Sequence, residues 1–197
     1  MKYNETDVIE KATTLFWQRG FQAAGMRDIQ QALDMRPGSI YAKFQSKEGL
    51  FKKVIEHYAA NSEAKLKRVA LADSPMLALK DFFQNALISP NEQRYMRQCL
   101  LVRSIAELDV IGDAASAVVI ESMNKLKLCF VDIINAAIDA SEIPQTTPVA
   151  FAADWLQNQF VGMRAFAVMN DDVKTVNAMI EKVLSDLKGR WPAEQVH

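Results

Sequence analysis

Apolar residues recur at spacings of three and four along nearly the whole chain, and no stretch sustains the strict alternation of a half-buried strand. The pattern predicts an all-α protein of about nine helices, punctuated by Pro, Gly, Asp and Ser. The first helix, Glu5 to Arg19, carries Val8, Ile9, Ala12, Leu15 and Phe16 on one stripe, and Gly20 follows at the position of a C-terminal glycine cap. Two short helices are expected at Met26–Leu33 and Pro37–Phe44, joined by the tight segment Leu33-Asp34-Met35-Arg36. A long helix starts after the N-cap Ser46 and runs through Leu50, Phe51, Val54, Ile55 and Tyr58 toward Leu71. Beyond Asp73-Ser74-Pro75, a cap followed by proline at the first helical position, helices are expected at 75–88, 92–108, 113–140, 148–169 and 172–188. The long fourth helix contains the organisational boundary, which divides the chain into residues 1–50 and 51–197.

Composition changes this picture mainly by exclusion. The chain has 197 residues, half apolar and a quarter charged, which is enough to bury a substantial core and excludes disorder. No apolar run reaches the ~18 residues of a membrane span, so no membrane partner is expected. The first residues lack the apolar core of a secretory signal, and the expected compartment is the cytoplasm. Cys99 and Cys129, the two cysteines, fall in apolar helical stretches and are expected to be buried thiols. The two histidines are His57 and His197, and the sole Glu-x-x-His runs from Glu194 to His197 without a paired second motif. Zinc spacing, a phosphate-cradling glycine loop and a Ser/His/Asp set are absent, so no enzyme activity, cofactor or metal is expected. A helical enzyme stands as the weaker alternative.

Charge is distributed unevenly. Residues 26–53 hold Arg27, Arg36, Lys43, Lys47, Lys52 and Lys53 against Asp28, Asp34 and Glu48, a local net of +3 on a chain whose formal charge is -1. The same stretch has a helix-turn-helix layout, in which Ile29, Leu33, Met35, Ile40 and Phe44 form a small core with Leu15 and Phe16. A basic helical pair on an otherwise acidic chain is the footprint of a duplex-DNA reader. Two alternatives remain on patterning alone: a solvated charged face, and a helical protein-interaction module with a basic face.

The run LF-x-x-x-GF ending at Phe21, the Asp28-Ile29 helix, Gly38-Ser39-Ile40-Tyr41, Phe44 and Ser46-Lys47-Glu48-x-Leu50 resembles the signature of the TetR-type bacterial transcriptional regulators. The resemblance covers about residues 8–51. It implies an N-terminal three-helix DNA-binding domain and a larger helical domain for effector binding and dimerisation. The implied partners are a double-stranded DNA operator, a second copy of the chain and an unidentified small-molecule effector. It makes the helix over 37–43 the recognition helix, with Pro37, Gly38, Ser39, Tyr41, Ala42 and Lys43 at the DNA, and it places Arg27 and Lys47 beside phosphates. Three departures matter. Ala24 and Gly25 stand where a Thr or Ser usually caps the first short helix, Asp34 stands where the turn usually has glycine, and Arg36 stands where a small hydroxyl residue is frequent. Asp34 should tolerate a left-handed backbone at modest cost, and Arg36 has the reach for guanine N7 and O6 or for another phosphate.

The last two helices carry more apolar surface than one core needs, which suggests a four-helix dimer interface through Trp155, Phe166, Val176, Ile180, Val183 and Leu187. A fully internal final helix is the alternative. Phe82, Phe83, Met96, Cys99, Arg103, Met123, Trp155, Gln159 and Met163 are candidates to line an effector pocket, although Met and aromatic side chains are more often plain core. The Cys99-Leu100-Leu101 segment resembles one found in a group of these regulators, some of which sense electrophiles or oxidants through cysteine, and a buried inert thiol is the preferred reading. Arg103 and Glu107, spaced i to i+4, are expected to pair weakly along their helix.

Overall fold

The break that organises the first part of the chain is at Gly20, whose backbone (φ 80°, ψ 172°) no L-residue adopts without strain. In the computed structural model, which describes residues 4–88 and 98–191, α1 (Glu5–Ala23) is one helix up to Arg19 and a single further turn after this kink. There follow α2 (Met26–Leu33), α3 (Pro37–Phe44), α4 (Lys47–Ala70), α5 (Pro75–Ile88), α6 (Leu100–Ile105), α7 (Asp113–Asp139), α8 (Val149–Met169) and α9 (Val173–Leu187). The described residues contain these nine helices and no strand, so the protein is all-α as its periodicity predicts. Among the described residues no helix is long and apolar enough to cross a membrane.

One expected element is corrected. The periodicity predicted a helix over 92–108, but the described part of that range is helical over Leu100–Ile105 alone, with Cys99 as an extended N-cap and turns from Ala106 onward. The exposed Ile105 and half-exposed Leu108 mark why the apolar count misleads: these side chains follow helical spacing without sharing one buried face.

The chain divides into two compact units, Met1–Asn61 with Cys99–Asn124, and Ser62–Gln98 with Lys125–His197. The divisions fall inside α4 and α7. In the first unit, Val8, Ile9, Ala12 and Phe16 of α1 are buried with Ile29, Leu33, Ile40, Leu50, Val54 and Ile55. In the second, α5, α8 and α9 pack on one another. The ring of Phe160 lies 4.7 Å from Phe83, 5.1 Å from Phe82 and 6.2 Å from Phe130 of α7, which makes an aromatic centre. The start of α5 is secured by Glu142, which accepts from the Met76 N–H at 2.8 Å and from the Ser74 hydroxyl. Asp172 caps α9, accepting from the Lys174 N–H and the Thr175 hydroxyl, and these bonds hold its carboxyl below the usual range.

Because Phe83 is completely buried in that centre, Phe83→Ala leaves a void that the surrounding rings cannot fill. It should cost about 3–5 kcal/mol in urea-induced unfolding of the whole chain.

Candidate nucleic-acid interface

The angle between α2 and α3 is set from below. Ile29, Leu33, Met35, Ile40 and Phe44 are all buried, with Leu15 and Phe16 of α1. Beneath them Phe51 meets Phe16 edge-on at 5.0 Å and Phe21 at 5.0 Å, a rigid aromatic floor. The turn is closed by Asp34 in the left-handed region (φ 51°, ψ 45°), with its N–H donating to the Gln30 carbonyl, as the sequence led one to expect. The hydroxyl cap of α2 is absent, and only the reciprocal half of a capping box is made: Gly25 is the N-cap, and the Asp28 carboxylate accepts its N–H at 2.9 Å while also accepting from Arg19 at 2.6 Å.

Burial of Ile40 and Phe44 decides which side of α3 faces outward. Arg36 is the N-cap of α3 and Pro37 its first residue; these two, Gly38, Tyr41, Ala42 and Lys43 are exposed, and Ser39 is half-buried. A Cβ added at Gly38 would meet nothing within 4 Å, so the helix start is open to close approach. Arg27 is exposed on the first turn of α2. Lys43 lies 3.3 Å from the exposed Glu5 carboxylate, a surface pair worth little. Lys47 differs from the others. Its Nζ stands 4.3 Å over the Phe21 ring and donates to the Gln22 carbonyl at 3.4 Å. Burial lowers its pKa, against the opposing charges of Glu107 and Asp28.

The residue that sequence reasoning missed is Glu107. Its carboxylate accepts the Phe21 and Gln22 N–H groups, each at 2.9 Å, across more than eighty residues. The expected Arg103–Glu107 pair along one helix is corrected, because α6 ends at Ile105 and this carboxylate turns to α1. No local sequence signal announces such a contact.

The candidate effector residues are spread over both units. Cys99, Arg103 and Met123 belong to the first, and Phe82, Phe83, Trp155, Gln159 and Met163 to the second; Met96 lies outside the described residues. Cys99 is buried, with its Sγ 3.6 Å from the Tyr58 hydroxyl that donates to it. Phe82 and Phe83 belong to the aromatic centre, and Gln159 and Met163 line an open hollow of about 370 Å³ with Thr175, Met179, Lys182 and Asp186. Of the candidate dimer residues, Val176, Ile180, Val183 and Leu187 are buried by the chain's own core and so are not available as outer surface. Trp155 and Phe166 are half-buried, and Trp155 packs edge-on against Trp191 at 5.4 Å.

Residues 8–54 match the family model for bacterial regulatory proteins of the tetR family. The chain is 31% identical over 83 residues to the HTH-type transcriptional repressor ComR of Escherichia coli (strain K12), a match covering 41% of this chain and 40% of that protein. It thus aligns with less than half the length of that relative. The uncharacterized HTH-type transcriptional regulator YezE of Bacillus subtilis (strain 168) is 21% identical over 91% of this chain and 94% of its own. Among solved structures, a cysteine mutant of the TetR family transcriptional regulator CifR, complexed with 26 bp double-strand operator DNA, superposes with a TM-score of 0.79. That match covers 98% of both chains at 22% identity, and it establishes the likeness of fold.

The left-handed Asp34 carries a backbone cost that glycine would not. Asp34→Gly should therefore stabilise the protein by about 0.5–1 kcal/mol in chemical denaturation.

Proposed function

We propose that the chain, whose residues 8–54 match the family model for bacterial regulatory proteins of the tetR family, is a DNA-binding transcriptional regulator, a repressor that leaves a palindromic operator when a small-molecule effector binds. The observation that carries the reading is the outward face of α3, where Arg36, Pro37, Gly38, Tyr41, Ala42 and Lys43 stand exposed on a helix whose other side is locked into the core. A rigid helix with an open N-terminal end suits the major groove, where the first residues of a recognition helix meet base edges. Arg27, Ser39, Tyr41, Lys43 and Lys47 are assigned to the sugar-phosphate backbone and Arg36 to a base. The repressor role of ComR and the operator complex of CifR support the same reading.

In this reading residues 1–50 bind DNA and residues 51–197 bind effector and dimerise. Two-fold pairing sets two reading heads about one helical turn apart (~34 Å). The proposed surface for the second copy is the outer side of α8 and α9 with Trp155 and Phe166, backed by Val176, Ile180, Val183 and Leu187. An effector acts through its differential affinity for two states: hundredfold release from DNA needs about 2.7 kcal/mol, within the reach of one small molecule.

The test is a titration of the protein with duplex from the region upstream of its gene at several salt concentrations. A logarithm of the binding constant that falls linearly with log salt is expected, and affinity for the operator no greater than for random duplex would remove the reading. Arg27→Ala should weaken all duplexes alike and reduce the salt slope by about 1, whereas Arg36→Ala should lose ~1–3 kcal/mol selectively at one base pair of the operator. Equal weakening across an operator mutant panel would move Arg36 to the backbone.

Sedimentation at micromolar concentration should give twice the 22.1 kDa chain mass. A monomer would remove the dimer and, with it, the palindrome.

A further inference from the structure

The two ends of the helix-turn-helix meet at one carboxylate. Everything between Ala23 and Lys47 is α2, the turn and α3, so whatever fixes the end of α1 and the start of α4 fixes how α2 and α3 are presented. Glu107 acts on both. The kink at Gly20 removes the in-helix partners of the N–H groups that follow, and Glu107 accepts two of them, from Phe21 and Gln22, at 2.9 Å each. On the other side Lys47, the first residue of α4, donates to the Gln22 carbonyl and lies within the field of the Glu107 charge.

Gly20 is shaped for this contact. A Cβ there would lie 3.0 Å from both Glu107 carboxylate oxygens, so the glycine provides the left-handed break and also the room for the carboxylate. The turn after α6 also lies close against the start of α4, because a Cβ at Gly112 (φ +84°) would stand 2.6 Å from the Glu48 carboxylate. The segment that carries Glu107 thus bonds one flank of the helix-turn-helix and lies against the other, while far from both in sequence.

We propose that Glu107 is a positioning residue for DNA binding: by holding the Phe21 and Gln22 N–H groups it sets the presentation of α2 and α3, so that the turn following α6 governs duplex affinity without touching DNA. This rests on the DNA-binding reading above. It makes that turn the place at which a change elsewhere in the chain alters the reading head. Withdrawal of the carboxylate leaves two backbone donors at the kink without a protein partner, and the final turn of α1 loses its anchor.

The experiment uses the full-length protein and three variants: Glu107→Ala, Glu107→Gln and, as a control on the same turn, Asp109→Ala, whose side chain is exposed. Three quantities are measured: duplex affinity for the upstream region at 25 °C, amide hydrogen exchange at Phe21 and Gln22, and the unfolding midpoint. Glu107→Ala should speed exchange at both amides and weaken duplex binding, each by about tenfold or more, under conditions where circular dichroism shows an intact fold. Glu107→Gln keeps one acceptor oxygen and should show a smaller loss of the same kind, and Asp109→Ala should match the wild type. If Glu107→Ala fails to fold, Glu107→Gln decides. A lowered midpoint with unchanged affinity would make Glu107 structural glue and overturn the proposal, as would unchanged exchange at Phe21 and Gln22. Failure of the wild type to bind duplex would instead overturn the DNA-binding reading itself, and the exchange data would still report whether the carboxylate anchors the kink.

Discussion

A helix that breaks must find partners for the backbone groups it exposes, and the break at Gly20 is the constraint on which the first unit depends. At φ 80° the chain turns α1 aside after Arg19, frees the N–H groups of Phe21 and Gln22, and brings the Phe21 ring down onto Phe51. Two ionic groups complete the corner, the Glu107 carboxylate on the N–H groups and the Lys47 ammonium on the Gln22 carbonyl and the Phe21 face. The two carboxylate bonds, at 2.9 Å, are charge-assisted and so stronger than neutral ones, and here they hold backbone rather than side chains. The corner therefore has a defined geometry, which α2 inherits.

From that corner the outward face of α3 follows by packing. Ile40 and Phe44, four residues apart, commit one side of an eight-residue helix to the core, and the remaining positions have no choice but to face outward. Pro37 at the first helical position wastes no donor, and Asp34 supplies the left-handed turn. The cations near this face differ in freedom. Arg27 and Arg36 are exposed, while Lys47 is drawn toward Gln22 and the Glu107 charge, so the phosphate contact proposed for it would compete with its part in holding the corner.

The second unit shows a different economy of apolar surface. The wide hydrophobic face of α9 reads in the sequence as surplus, yet Val176, Ile180, Val183 and Leu187 are all consumed by α5 and α8, since three helices meet there rather than two. Outside that packing lies an open hollow that includes Gln159, Lys182 and Asp186 beside Met163 and Met179. Apolar periodicity measures how much face a helix has to bury, and not which neighbour buries it.

The sequence by itself determined the helical class, the helix-turn-helix and its core, the left-handed Asp34 and the outward residues of α3, because each rests on spacing within about ten residues and on backbone chemistry that is local. The short α6 escaped it, since apolar residues between Leu100 and Leu108 keep helical spacing even where the backbone has left the helix. Only the tertiary structure decided that Asp28 pairs with Arg19, that Val176, Ile180, Val183 and Leu187 of α9 are buried within the chain, and that Glu107 anchors the kink at Gly20. The glycine was legible as a helix stop, but its second role was not. That role depends on a carboxylate brought there by the fold across more than eighty residues, and a pairing at such separation leaves no period in the chain that carries it.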